Sequence, residues 1–120
     1  MRAVALMTLA LCAAACADDD DTRPATIAYI APAIFAPMCA TASCHSSLTR
    51  AGGLVLDDPP ARVRARLVEK QLLYEPPMTS YSPFMNFLTG EFSGFLMPPD
   101  LPLSAGDLAL IRRWLDAGAP

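Results

Sequence analysis

Proline is the residue that most constrains this chain, because it occurs twelve times in a sequence of 120 residues. Each proline removes a backbone donor and breaks a helix interior or a central strand, so the sequence predicts short helices rather than long strands or a coiled coil. With 53% apolar and 18% charged residues, the chain is too apolar for a disordered tail and too short for more than one globular unit. A large multidomain enzyme is excluded.

The first 16 residues are typical of a secretory signal peptide. An arginine precedes an apolar stretch that is shorter than the roughly 20 residues needed to span a bilayer, and small residues follow it. The run AAAC at 13–16 resembles a bacterial lipobox with alanine in place of the usual leucine, which makes Cys16 the expected lipidation site. Cleavage in the same run by an ordinary signal peptidase stays open. Both routes predict export to the periplasm or cell envelope, and the first adds a lipid anchor in a membrane.

Residues 17–25 form an acidic segment between this leader and the folded part. The aspartates at 18–21 repel one another, so the segment is predicted to be an extended, solvated tether. The domain itself is expected over residues 26–120.

The first half of the domain predicts two short helices. One covers residues 26–38, with a kink or restart at Pro32, and leads into a segment that contains two cysteines. Residues 51–53 are expected to turn, and residues 54–56 to be extended and apolar. The second helix opens at Asp58, the expected N-cap, and ends near Lys70.

The second half predicts two more helices and no substantial sheet. One covers residues 83–89, with Ser82 as its cap and Gly90 at its end. The last is capped by Ser104 and ended by Gly118, with an irregular loop over 92–103 before it. The expected fold class is therefore all-α, with about four short helices and loop-rich connections.

Cysteine and histidine come together only in the segment CATASCH, from Cys39 to His45. His45 is the single histidine of the sequence and directly follows Cys44. Covalent haem attachment requires two thiols that add across the two vinyl groups, with an imidazole beside the second thiol. The common motif has two residues between its cysteines, whereas this one has four. Cysteines five apart on an ideal helix point about 140° away from each other, so we predict a bulged loop that enters a helix.

Four segments together resemble the c-type cytochrome domains of small exported bacterial lipoproteins, over about residues 26–120. They are CATASCH, GGL at 52–54, MPP at 97–99 and LSAGDLALIRRWLDAGAP at 103–120. The resemblance implies a cytochrome c-like domain around a haem pocket, with haem c, and hence iron, as the cofactor. By position, it implies Cys39 and Cys44 as the thioether links, His45 as the proximal iron ligand and Met97 as the distal ligand.

The same resemblance implies that the first and last helices cross near the haem edge. Phe35 and Trp114 are then expected to touch each other or the porphyrin. The arginines of the second helix, at positions 62, 64 and 66, are expected to be solvated, or else one of them pairs with a haem propionate.

The implied function is one-electron transfer between redox partner proteins of the cell envelope. No organic substrate is expected to be transformed, so an electron-transfer protein rather than an enzyme is predicted. The carboxylates are scattered, and no pair invites general acid–base catalysis. A net charge of −3 without a dense basic run does not favour nucleic acid as a partner.

Several alternatives stay open at this point. A Cys39–Cys44 disulfide suits an oxidising compartment and would give a haem-free lipoprotein that acts as an envelope binding module. Met78, which also follows prolines, competes with Met97 for the distal position. Haem used as a sensor or peroxidase would need an open distal position. Structural zinc needs four ligands, and only three candidates lie here.

Overall fold

The computed structural model describes residues 21–91 and 94–120, which form four helices joined by turns and irregular segments. No strand occurs within these ranges, so the expected all-α class is confirmed. The predicted signal peptide and its Cys16 lie outside the described residues. None of the helices in the described part is long and apolar enough to cross a membrane.

Helix α1 covers residues 27–39 and adapts to two internal prolines, Pro32 and Pro37. It consists of an α-helical Ile27–Ile30, a π-helical Ala31–Phe35 and an α-helical Ala36–Cys39. A proline ring crowds the carbonyl four residues before it and offers no N–H. In the wider π segment, the N–H of Ala36 donates instead to the carbonyl of Ala31, five residues back. The kink or restart expected at Pro32 is therefore a π-helical segment within one helix.

The other helices are α2 (Pro60–Glu69), α3 (Phe84–Thr89) and α4 (Ala105–Asp116). Two predicted caps are wrong, since each capping side chain binds a partner eight residues away. Asp58 does not cap α2, because its Oδ2 accepts from Nε of Arg66 at 2.8 Å. Ser82 does not cap α3, because its Oγ accepts from the N–H of Tyr74 at 2.8 Å.

The predicted ends of α3 and α4 are confirmed. The Oγ of Ser104 accepts from the N–H of Asp107 at 3.1 Å and so caps α4. Gly90 follows α3 with φ 75°, and Gly118 follows α4 with φ 89°. These left-handed conformations suit glycine, which has no Cβ to clash with the backbone.

The core lies between all four helices, and its largest fully buried side chains are aromatic. Phe35 and Trp114 are fully buried and meet edge to face, with ring centroids 6.3 Å apart. Phe35 also contacts Phe84 edge to face at 5.4 Å. The carbonyl of Pro120 accepts from the N–H of Ile27 at 2.8 Å and from Nε1 of Trp114 at 2.9 Å. These contacts join the first and last helices, and the expected contact between Phe35 and Trp114 is confirmed.

The start of the described chain, residues 21–25, is packed on the domain. Nη1 of Arg23 donates to Oδ1 of Asp107 at 2.6 Å, and Nε of Arg23 donates to Oδ1 of Asp21 at 2.9 Å. Nη1 of Arg113 donates to the carbonyl of Asp21 at 2.6 Å. The hydrogen bond from Arg23 holds the pKa of Asp21 down at about 2. The extended tether predicted over 17–25 is thus corrected for residues 21–25, because pairing with arginines offsets the repulsion. Residues 17–20 lie outside the described part.

Candidate functional site

An apolar cavity of about 450 Å³ brings together the four residues that the sequence predicts as a cofactor site. Cys39, Cys44, His45 and Met97 all line it. Its volume lies within the roughly 300–1,000 Å³ that is usual for ligand pockets. The remaining wall is mainly apolar and comes from the end of α1, the turns after it, α3 and the loop after α3; it includes Leu54, Leu56, Leu72, Phe84, Phe87 and Leu88.

The two cysteines reach one cavity because the chain turns sharply after α1. The helix ends at Cys39, and the N–H of Cys44 donates to the carbonyl of Thr41 at 2.9 Å, which closes a turn. The N–H of His45 then donates to the carbonyl of Cys39 at 3.0 Å. The segment is therefore a helix that enters a turn, and the predicted loop entering a helix is wrong. The intervening residues do bulge, as predicted, which carries Cys44 back towards the helix end.

Hydrogen bonds fix the imidazole of His45 in one orientation. Its Nδ1 lies 2.9 Å from the carbonyl oxygen of Ala51, which only accepts, so Nδ1 carries the proton and donates. The main-chain carbonyl of His45 accepts from the N–H of Leu56 at 2.8 Å. A neutral imidazole that donates through Nδ1 keeps a lone pair on Nε2, which is the form that binds a metal.

The turn at 51–53 is confirmed and forms part of the same wall. Its Ala51 N–H donates to the carbonyl of Cys44 at 3.0 Å. Gly52 and Gly53 have φ of 61° and 71°, a region that disfavours other residues. The segment 39–45 and the segment 51–56 are thus cross-linked by backbone hydrogen bonds, so the histidine and both thiols belong to one rigid unit.

Both cysteines are free thiols in the structure. Cys39 is buried and Cys44 is partly exposed. Burial, and to a lesser extent the nearby Cys44, raises the pKa of the Cys39 thiol to about 11. At neutral pH the Cys39 sulfur is therefore protonated, and it is a poor nucleophile for thiol–disulfide exchange.

Methionines lie on two parts of the cavity wall. The N–H of Met97 donates to the carbonyl of Phe87 at 2.8 Å, which ties the loop after α3 to that helix. Met38, next to Cys39 on α1, packs against the core and also lines the cavity. Met78, the alternative distal ligand, is 49% exposed and does not line the cavity. The geometry thus favours Met97 over Met78 and adds Met38 as a second sulfur.

Lys70 is a cavity residue that the sequence analysis missed. Among the described residues, it is the only lysine, arginine, aspartate or glutamate on the cavity wall. None of the three arginines of α2 lines the cavity. Nη2 of Arg64 pairs with Oε2 of Glu75 at 2.9 Å, and Arg66 pairs with Asp58. No local pattern marks Lys70, because its cavity neighbours come from distant parts of the sequence.

No group of three or more His, Cys, Asp or Glu side chains that could hold a metal ion occurs within 21–91 and 94–120. Comparison of the chain with protein-family models, with curated proteins and with solved structures gives no match. The resemblance to c-type cytochrome domains therefore rests on the chain's own residues and spacing.

Proposed function

We propose that this protein carries a covalently bound c-type haem in the cavity and transfers single electrons. The observation that carries the proposal is the convergence of Cys39, Cys44, His45 and Met97 on one apolar cavity of about 450 Å³. These residues fit the chemistry of the group: two thiols for the vinyl carbons, an imidazole nitrogen and a soft thioether for the iron, and apolar walls for the porphyrin. When bound, the haem supplies an iron that alternates between the ferrous and ferric states.

Attachment needs only the chain's two thiols and the two vinyl groups. Each S–H of Cys39 and Cys44 would add across one C=C, so that a C–S bond would form, the hydrogen would go to the neighbouring carbon, and nothing would leave.

The protein residues would then position the two iron ligands and exclude water. Ala51 orients the His45 imidazole through Nδ1, which leaves Nε2 as the donor atom for the iron. Met97 supplies the second donor from the loop tied to α3, and ligation by methionine and histidine raises the reduction potential. The aromatic and aliphatic wall keeps the site poorly hydrated, which further tunes that potential.

The remaining parts of the proposal concern the protein's place in the cell. We place it in the periplasm or cell envelope, exported by residues 1–16 and held to a membrane through a lipid on Cys16. Its partners are then other redox proteins of the envelope, and it transforms no small-molecule substrate. The basis is the leader sequence and the compartment in which haem is attached to exported chains.

The absorption spectrum of the exported, purified protein tests the cofactor directly. We expect a sharp Soret band that survives extraction with acid and acetone, because thioether bonds keep the haem on the chain. The Cys39→Ala/Cys44→Ala double variant is expected to lose its haem on extraction. A colourless, correctly exported protein with a Cys39–Cys44 disulfide would contradict the proposal and favour an envelope binding module.

The distal ligand is tested by three matched methionine variants. Met97→Ala is expected to lower the reduction potential or to give high-spin iron, since the iron loses its thioether. Met78→Ala, exposed and off the cavity, and Met38→Ala, on the cavity wall, are expected to keep the low-spin spectrum. A high-spin spectrum in either control instead of Met97→Ala would assign the ligand to that methionine. Rapid binding of an external ligand by the native ferrous protein would point to a sensor or peroxidase.

A further inference from the structure

One charged side chain, that of Lys70, borders an otherwise apolar cavity. Lys70 is the residue after α2 and is exposed, and its side chain also lines the cavity, which places it where the cavity meets solvent. It forms no ion pair within the described residues. A cation at an apolar cavity, without a protein carboxylate beside it, suits a ligand that is apolar in its body and anionic at its edge.

The glycine turn leaves the space that the Lys70 ammonium occupies. A Cβ atom added to Gly53 would lie only 2.7 Å from Nζ of Lys70. Any side chain at this position would therefore push the ammonium away from the turn that carries His45's partner, Ala51. The positive φ of Gly53, 71°, adds a second reason for glycine here.

We propose that Lys70 binds a carboxylate of the cofactor at the cavity mouth. This inference rests on the proposed function, in which that carboxylate is a haem propionate. Among the charged side chains of α2, the guanidinium groups of Arg64 and Arg66 are already paired with Glu75 and Asp58. Arg62 is exposed and does not line the cavity. Lys70 thus performs the role that the sequence analysis offered to these arginines.

The chain allows an unusually selective test, because Lys70 is the single lysine of the sequence. Acetylation of the purified, folded, haem-loaded protein removes the charge of Lys70 without any demand on folding. The other reactive amine is the N-terminus, and acetylated Lys70→Gln protein controls for it. Lys70→Gln removes the charge genetically, Lys70→Arg keeps it, and Arg62→Gln removes a charge of the same helix outside the cavity.

The measurement is the reduction potential of the haem as a function of pH. Ionisation of the propionate produces an inflection in this curve. An exposed ion pair favours the ionised propionate only weakly, so loss of the Lys70 charge is expected to move the inflection to higher pH by about 0.5 unit. Acetylated wild type and Lys70→Gln should show this shift. Lys70→Arg and Arg62→Gln should keep the inflection at the pH of the wild type. Acetylation of Lys70→Gln should not move its inflection further.

The outcomes separate this inference from the function on which it rests. Wild-type protein without covalent haem would overturn both. Haem-loaded wild type whose inflection is unchanged by acetylation and by Lys70→Gln would overturn the role of Lys70 alone. An equal shift in Arg62→Gln would also overturn it, because the effect would then come from the overall charge of α2.

Discussion

The buried thiol of Cys39 makes the stability of the haem-free, reduced protein depend on alkaline pH. In the unfolded chain the thiol has its ordinary pKa of 9.0, and burial in the folded chain raises that pKa to about 11. Between these values the folded state binds more protons than the unfolded state, so the free energy of unfolding falls as the pH rises. The contribution of Cys39 is fully present below pH 9 and is lost as the pH passes 11.

The size of this effect follows from the shift. Each pKa unit corresponds to 1.36 kcal/mol, so the free energy of unfolding should fall by about 2–3 kcal/mol across this range. That is a large part of the roughly 5–15 kcal/mol that stabilises a small domain. Urea unfolding followed by circular dichroism, in the presence of a reductant, measures the free energy of unfolding at several pH values.

Cys39→Ala is the matched control for this experiment. This variant keeps every other ionisable side chain of the wild type, so the difference between the two chains isolates Cys39. The haem-loaded protein should also lack the Cys39 contribution, because a thioether sulfur carries no proton. A protein with a Cys39–Cys44 disulfide would also lack the contribution of the Cys39 thiol, and it would regain that contribution when the disulfide is reduced. An equal alkaline loss in wild type and Cys39→Ala would refute the reasoning.

Three further predictions concern the aromatic core, the cap of α4 and the docked segment 21–25. Phe35→Leu removes two edge-to-face ring contacts and should lower the free energy of unfolding by about 1–3 kcal/mol in urea titrations, whereas Phe95→Leu, at a side chain 59% exposed, should change it by less than about 0.5 kcal/mol. Ser104→Ala removes the cap of α4 and should cost about 1 kcal/mol in the same assay; no loss would show that the cap is replaced by water. The pKa of Asp21 is lowered to about 2, so docking of residues 21–25 should be intact above pH 4 and lost as the pH falls towards 2, measured by hydrogen exchange. Asp21→Asn should show no such transition, and an identical one would contradict the pairing with Arg23.

The helices were predictable where their signals are local. The prolines, the cap at Ser104 and the glycines at 90 and 118 act on their immediate neighbours, so the number and approximate bounds of the helices follow from the sequence. Asp58 and Ser82 carry equally good cap signals, but Arg66, on α2 itself, and the N–H of Tyr74 bind their side chains instead. Each partner lies eight residues from the expected cap, beyond the first helical turn that a cap signal covers.

The site divides in the same way. Cys39, Cys44 and His45 lie within seven residues of one another, and their spacing alone indicates a common site. Met97 was assigned by resemblance, and its place on the cavity wall depends on the packing of the loop against α3. The sequence did not indicate Lys70 as a site residue, because its ammonium lies beside Gly53 only through the packing of α2 in the fold. The cofactor itself stays a prediction until the spectrum is measured.

The two sides of the cavity differ in how closely they are tied to the core. Cys39 is the last residue of α1, whose Phe35 packs on Trp114, while Met97 lies on an irregular loop and is only partly buried against the core. Replacement of Met97 is therefore expected to disturb the aromatic packing less than replacements within α1. If the proposed haem is bound, this layout would allow related or engineered versions of the domain to exchange the distal donor atom, and with it the working voltage, on an unchanged scaffold.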